Sequence, residues 1–202
     1  MAEAREISGS NRSIALHKDA LAVPIGSAVP ESGAAYHSLV NAIIEVGDEV
    51  VRPRGRIIDL AVENGDLGGH LLRRHWDLCP HVAICSTQDA AMDALDRHRL
   101  EVHLGMLDIR ELDLAQRFPE VHADLIIAPG CLSGLDHSRR EEVLAKCHHQ
   151  VGRQGALIVI EWMGMEEVGL TEDWHSLLED NGFSKVESIW SADGRAAWVA
   201  RW

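Results

Sequence analysis

Aromatic side chains are scarce in this chain: six Trp, two Phe and one Tyr among 202 residues. Cysteine is also scarce, and Cys79, Cys85, Cys131 and Cys147 form no C-x-x-C pair and no zinc-like spacing. That argues against a disulfide framework and a cysteine-built metal site, and it suits buried thiols in a reducing compartment. No run approaches the roughly 20 apolar residues of a membrane helix. The opening stretch, MAEAREISGSNRS, lacks the apolar segment of a signal peptide. The expectation is a cytoplasmic protein with no membrane partner. Basic charge is in short supply as well, since 19 Lys and Arg against 32 Asp and Glu leave a net charge of −13. A phosphate backbone needs a basic footprint, so a nucleic-acid partner is not expected. Neither a Walker loop nor a G-x-S-x-G elbow is present.

What is present is an ordinary globular composition, 46% apolar and 25% charged, at a length that suits one domain. Residues 1–33 are rich in Ser, Gly, Ala and Pro without a steady period, and read as a flexible N-terminal arm with a short helix around residues 14–21. Residues 34–202 read as the folded domain. It opens with a helix over 34–51, in which Tyr36, Leu39, Val40, Ile43 and Ile44 share one face. Pro53 and Gly55 end it.

The stretch RIIDLAVENGDLGGHLL, residues 56–72, organises the domain. A short apolar strand ends at Asp59-Leu60, a polar turn runs from Ala61 to Gly65, and a helix opens near Asp66. A strand that passes through a tight loop into a helix is the ligand-binding element of open α/β sheets. The same pattern resembles motif I of the class I S-adenosylmethionine-dependent methyltransferases, which reads acid-x-Gly-x-Gly-x-Gly. Asp59 fills the acid position, and Ala61, Glu63 and Gly65 stand at the three glycine positions. Only the last glycine is kept. Glu63 brings an anionic side chain beside the place of the cofactor's carboxylate or ribose. Two like charges that close repel by about 1 kcal/mol in water, and by several times that in a partly dry cleft.

Other stretches carry the same resemblance. Ala123-Asp124-Leu125-Ile126-Ile127, running to Pro129, matches the family's fourth strand, and Val151-Gly152-Arg153-Gln154-Gly155 matches its turn into strand five. The family places a ribose-binding acid past the second strand, where this chain has Ser86 and Thr87. It places an adenine contact past the third strand, expected here over residues 100–105, where Asp108 and Ile109 follow. The helix of the fourth unit, residues 136–151, is expected to be capped by Ser138 through the sequence Ser138-Arg139-Arg140-Glu141. A further helix over 171–181 is expected to be capped by Thr171. Asp193-Gly194 between two strand-like runs signals a terminal hairpin.

The resemblance implies a three-layer α/β/α sandwich with a Rossmann-like, seven-stranded, mostly parallel sheet and an antiparallel C-terminal hairpin strand. It implies S-adenosylmethionine as cofactor, held by Asp59, Ala61, Glu63, Gly65, Ser86, Thr87, Asp108, Ile109 and Pro129. It makes the first helix a lid over the substrate, with Tyr36 and His37 as lid candidates. His137, placed just past the fourth strand, and Tyr36 are the candidate bases for a hydroxyl or acidic-carbon acceptor. The adjacent pair His148-His149 makes poor joint metal ligands, because neighbouring helix residues point about 100° apart. Five of the six tryptophans lie at or after Trp162. Core packing is their expected use, with a substrate mouth or a homodimer contact as the other two. The main expectation is methylation of a small molecule. The alternatives are a repurposed fold, catalysing cyclisation, hydrolysis or isomerisation, and a non-catalytic partner subunit.

Overall fold

Seven strands join in one sheet in a computed structural model that describes residue 29 and residues 32–61, 66–75, 81–85, 87–120, 122–163 and 173–202. In chain order the elements are α1 (Gly33–Val50), β1 (Ile57–Asp59), α2 (Leu67–Arg74), β2 (His81–Cys85), α3 (Gln88–Arg97), α4 (Arg99–His103), β3 (Leu107–Glu111), β4 (Leu125–Pro129), α5 (His137–Val151), β5 (Ala156–Trp162), α6 (Trp174–Asp180), β6 (Lys185–Ala192) and β7 (Arg195–Arg201). The strand order is β3-β2-β1-β4-β5-β7-β6. From β1 the chain steps outward through β2 to β3, then returns to the other side of β1 as β4. The ladders from β3 to β5 are parallel, and β7 runs antiparallel to both β5 and β6. The expected mostly parallel seven-stranded sheet with one antiparallel strand is the one observed.

Alternation along the strands builds the three layers. Ile57, Leu125, Ile127, Ile158, Ala197 and Val199 face α1 and α2. Ile58, Ile126, Leu157, Val159, Ala196 and Trp198 face α5 and α6. A smaller cluster of Leu72, Ala83, Ala94 and Leu107 seats α3 beside β2 and β3. Val29 is buried within the α1 cluster, so packing reaches into the stretch read as an arm. The helix expected around residues 14–21 lies outside the described residues. Among the described residues no helix is long and apolar enough to cross a membrane.

Three local expectations are corrected. Residues 99–103 form α4 rather than the third strand, which is taken by Leu107–Glu111. The run Leu100-Glu101-Val102-His103-Leu104 fits both periods, and among the described residues nothing covers Leu100 and Leu104, which are 66% and 60% exposed. Leu107 and Ile109 instead find the pocket beside Ala83 and Ala94. The cap of α5 is Asp136, whose carboxylate accepts from the Arg139 amide at 2.9 Å, and not Ser138. The cap of α6 is Asp173, which accepts from the amides of His175 and Ser176. Thr171 lies outside the described residues. In both caps an aspartate carboxylate adds a charge-assisted bond at the positive end of the helix.

Candidate functional site

The order of strands reverses between β1 and β4, and this is where open α/β sheets bind ligands, beyond the carboxyl ends of the strands. Asp59 closes β1 and is fully buried. One carboxylate oxygen accepts from the Gly68 amide at 2.9 Å, and the other from the Ala61 amide at 3.3 Å. Asp59 thus ties the turn after the strand to the first turn of α2, where unpaired N–H groups favour an anion. The close approach needs Gly68: a Cβ there would run into the His81 ring and come within 2.9 Å of Asp59 Oδ2. A Cβ on Gly69 would run into the Asp66 carboxylate. These glycines were not singled out from sequence, although a Gly-Gly pair in the first turn of an amphipathic helix was a readable signal.

The other expected cofactor residues are distributed unevenly. Ala61 is buried, and the positive-φ residues other than glycine, among those described, are Arg54 and Asp193, so the Ala61 methyl group meets no left-handed backbone. Glu63, Gly65 and Ser86 lie outside the described residues. Thr87 is exposed at the N-cap of α3, its hydroxyl oxygen accepting from the Ala90 amide at 3.2 Å. Pro129 ends β4 and is buried. Asp108 and Ile109 were expected past the third strand and instead lie within it. Asp108 stands level with Val82 near the start of β2 and pairs with Arg110 at 2.6 Å, while Ile109 packs against the α3 cluster. Because the strand begins seven residues later than expected, the residues beyond its carboxyl end are Leu112 and Asp113.

The candidate bases fall on opposite faces of the sheet, since α1 packs on one and α5 on the other. His137 heads α5 with an exposed ring, 3.5 Å from the Glu141 carboxylate one turn on. Tyr36 and His37 lie in the first two turns of α1, His37 exposed and Tyr36 half-buried. Tyr36 Oη lies 2.8 Å from Nε2 of His70 on α2. Burial, with help from the Asp66 carboxylate, raises the Tyr36 pKa. Burial, with help from the Arg73 charge, lowers that of His70. Both shifts favour a neutral phenol donating to a neutral imidazole at physiological pH. His70 was missed from sequence because its partner lies on another element, 34 residues away.

At the end of β5, Glu161 is fully buried beneath the loop after β4, a residue that sequence reading passed over. Arg195 stacks on the neighbouring Trp162, 4.4 Å from the ring centre. His148 lies against Trp202 and Phe183, whereas His149 faces His122. Among the described residues no group of three or more His, Cys, Asp or Glu is placed to hold a metal ion.

No family model matches the chain, and no curated protein matches it. Solved structures do. An O-methyltransferase family protein from Burkholderia thailandensis superposes with a TM-score of 0.63 at 23% identity, over 82% of this chain and 55% of that one. A S-adenosylmethionine-dependent methyltransferase from Clostridium acetobutylicum gives 0.65 at 12% identity, over 83% and 92%. Human N-acetylserotonin methyltransferase, in complex with S-adenosylmethionine, gives 0.60 at 19% identity, over 80% and 51%. The fold is that of the class I S-adenosylmethionine-dependent methyltransferases. The chain spans about half the length of the Burkholderia and human structures, and nearly all of the clostridial one.

Proposed function

We propose that the chain transfers a methyl group from S-adenosylmethionine to a small-molecule acceptor. The observation that carries this reading is the buried Asp59 at the reversal of strand order, holding the first turn of α2 against the end of β1. The residues present fit such a cofactor in kind. A carboxylate and the helix N-terminus stand at the end of β1, and a hydroxyl stands at the end of β2. Neighbouring parallel strands lie roughly 5 Å apart, so the two ends are spaced to take successive parts of one extended nucleoside. The backbone around Ala61, positioned by Asp59, would hold the amino-acid end, and Thr87 a ribose hydroxyl. The human and clostridial neighbours, named for or bound to S-adenosylmethionine, support the assignment. When bound, the cofactor supplies an electrophilic methyl group on a sulfonium.

The chain's own part is orientation and, for a hydroxyl acceptor, removal of a proton. In this reading Tyr36 Oη takes the acceptor's proton as it passes its own to His70 Nε2. The half-buried imidazole is held neutral and ready to receive it. His137 is the second candidate base, reaching from the α5 side. The net charge of −13 favours a small acceptor over a nucleic acid. A reducing cytoplasm suits Cys131 and Cys147, which form no disulfide.

Calorimetric titration with S-adenosylmethionine and S-adenosylhomocysteine tests the reading. Binding in the micromolar range, about −8 kcal/mol, is the expected result. Absence of binding at millimolar ligand overturns it.

A further inference from the structure

The loop that follows β4 is held from beneath by two buried charges. Glu161 Oε1 accepts from the Leu132 amide at 2.8 Å and from the Ser133 amide at 3.2 Å. Arg140, on α5, points at the opposite polarity of the same loop. Its Nε donates to the Leu132 carbonyl at 3.0 Å, and one terminal nitrogen donates to the Leu135 carbonyl at 2.9 Å. The guanidinium lies over Trp174 of α6, 5.5 Å from the ring centre. Both charges are nine-tenths or more buried. Meanwhile Glu161 Oε2 is shut away from solvent and meets no hydrogen-bond donor among the described residues.

A buried carboxylate with one oxygen idle is costly to hold in its ionised form. We propose that Glu161 is the positioning residue of the loop after β4, clamping its amides while Arg140 clamps its carbonyls, so that ionisation of this one buried carboxylate loosens a wall of the candidate cleft. The ionised form accepts stronger, charge-assisted bonds from both amides, but keeping that charge out of water costs more than those bonds offset, so the loop closes most firmly over the neutral acid. Burial pushes the Glu161 carboxyl up to about 7, against the pull of the Leu132 and Ser133 donors and of Arg140. The clamp therefore changes state near neutral pH rather than deep in the acid range.

The groups that face Glu161 support this assignment. From α5 come Arg140 and, acting on Arg140, Asp136. From the loop comes the Ser133 hydroxyl. β4 brings Ala128 on the same face, β7 brings Ala196 level with Glu161, and α6 brings Trp174 behind Arg140, none of which titrates. Arg195 is engaged with Trp162, whose side chain alternates to the other face of β5. The consequence for catalysis rests on the methyl-transfer reading, but the clamp itself does not.

Hydrogen exchange of the Leu132 and Ser133 amides tests the clamp in the full chain without added ligand, after correction for intrinsic exchange. In the wild type their protection falls about tenfold or more between about pH 5.5 and about pH 8.5, as the carboxyl beneath the loop ionises. In Glu161→Gln, which cannot ionise, the protection is independent of pH. A carbon-13 titration of the Glu161 carboxyl in the wild type gives a second reading, with a midpoint near 7 expected. It decides the matter if the variant does not fold. A carboxyl that titrates at its ordinary value, or loop amides whose protection is the same at both pH values, overturns the proposal. Loss of the clamp with cofactor binding intact refutes this inference alone, whereas an intact clamp with no binding refutes the methyl-transfer reading alone.

Discussion

His81 makes the acid side of the stability curve calculable. It opens β2, is 2% exposed, and its ring fills the space that a side chain on Gly68 would need. Burial lowers its pKa from 6.5 to about 3, with the nearby His98 helping and a backbone bond at Gly68 opposing. The native imidazole is therefore neutral over a range in which the unfolded one is charged. The unfolded state binds the extra proton, so stability is lost as pH falls from 6.5 toward 3. One proton-linked site gives a loss of about 0.8 kcal/mol at pH 6, about 2 kcal/mol at pH 5 and about 3 kcal/mol at pH 4. At pH 5 the loss depends almost wholly on the unfolded value, so any native value below about 4 gives the same result.

Glu161 acts in the opposite direction. Its native pKa is raised from 4.5 to about 7, so the native state binds the extra proton and stability increases as pH falls through that window. The two groups partly offset each other in the wild type, and a simple acid scan does not separate them. The difference between the wild type and the His81→Leu variant does. Urea unfolding, followed by tryptophan fluorescence at pH 8 and pH 5, is expected to show the variant gaining about 2 kcal/mol on the wild type as pH falls between these values. An equal difference at the two pH values refutes the reasoning and requires His81 to ionise normally in the native state.

Gly68→Ala is expected to destabilise the fold by about 1–3 kcal/mol or more, because its Cβ would strike the His81 ring and the Asp59 carboxylate. A thermal melt checks this, and an unchanged melting temperature would contradict the packing of α2 on β1. Cys147 is buried and its thiol pKa is pushed up, so a thiol reagent should label it only after unfolding. Mass spectrometry of the native protein after brief exposure to iodoacetamide checks this, and rapid modification of Cys147 would contradict its burial.

Local physical chemistry made much of this fold readable. The α1 stripe, the apolar run of β4 and the alternation of Ala196, Trp198 and Ala200 against Ala197 and Val199 each follow from a period of 3.6 or 2. The Asp193-Gly194 turn was legible because both residues adopt positive φ, 52° and 73°, a conformation that these residue types tolerate. Asp59 was readable as the acid at the end of a strand, because a strand–turn–helix unit leaves that position facing a helix N-terminus.

Tertiary structure decided the rest. Both Leu100–Leu104 and Leu107–Glu111 had a strand-like pattern, and only the pocket beside Ala83 and Ala94 selected the second. Ser138 had a capping sequence, but the helix begins where Asp136 reaches the Arg139 amide. The pairs Tyr36–His70 and Glu161–Leu132 span 34 and 29 residues, and no local period relates their members. The chain alone thus determined which segments become strands and helices wherever the apolar pattern had a single solution. Burial and long-range pairing determined which polar groups meet, because the cost of leaving a polar group unpartnered exists only once the fold has removed water.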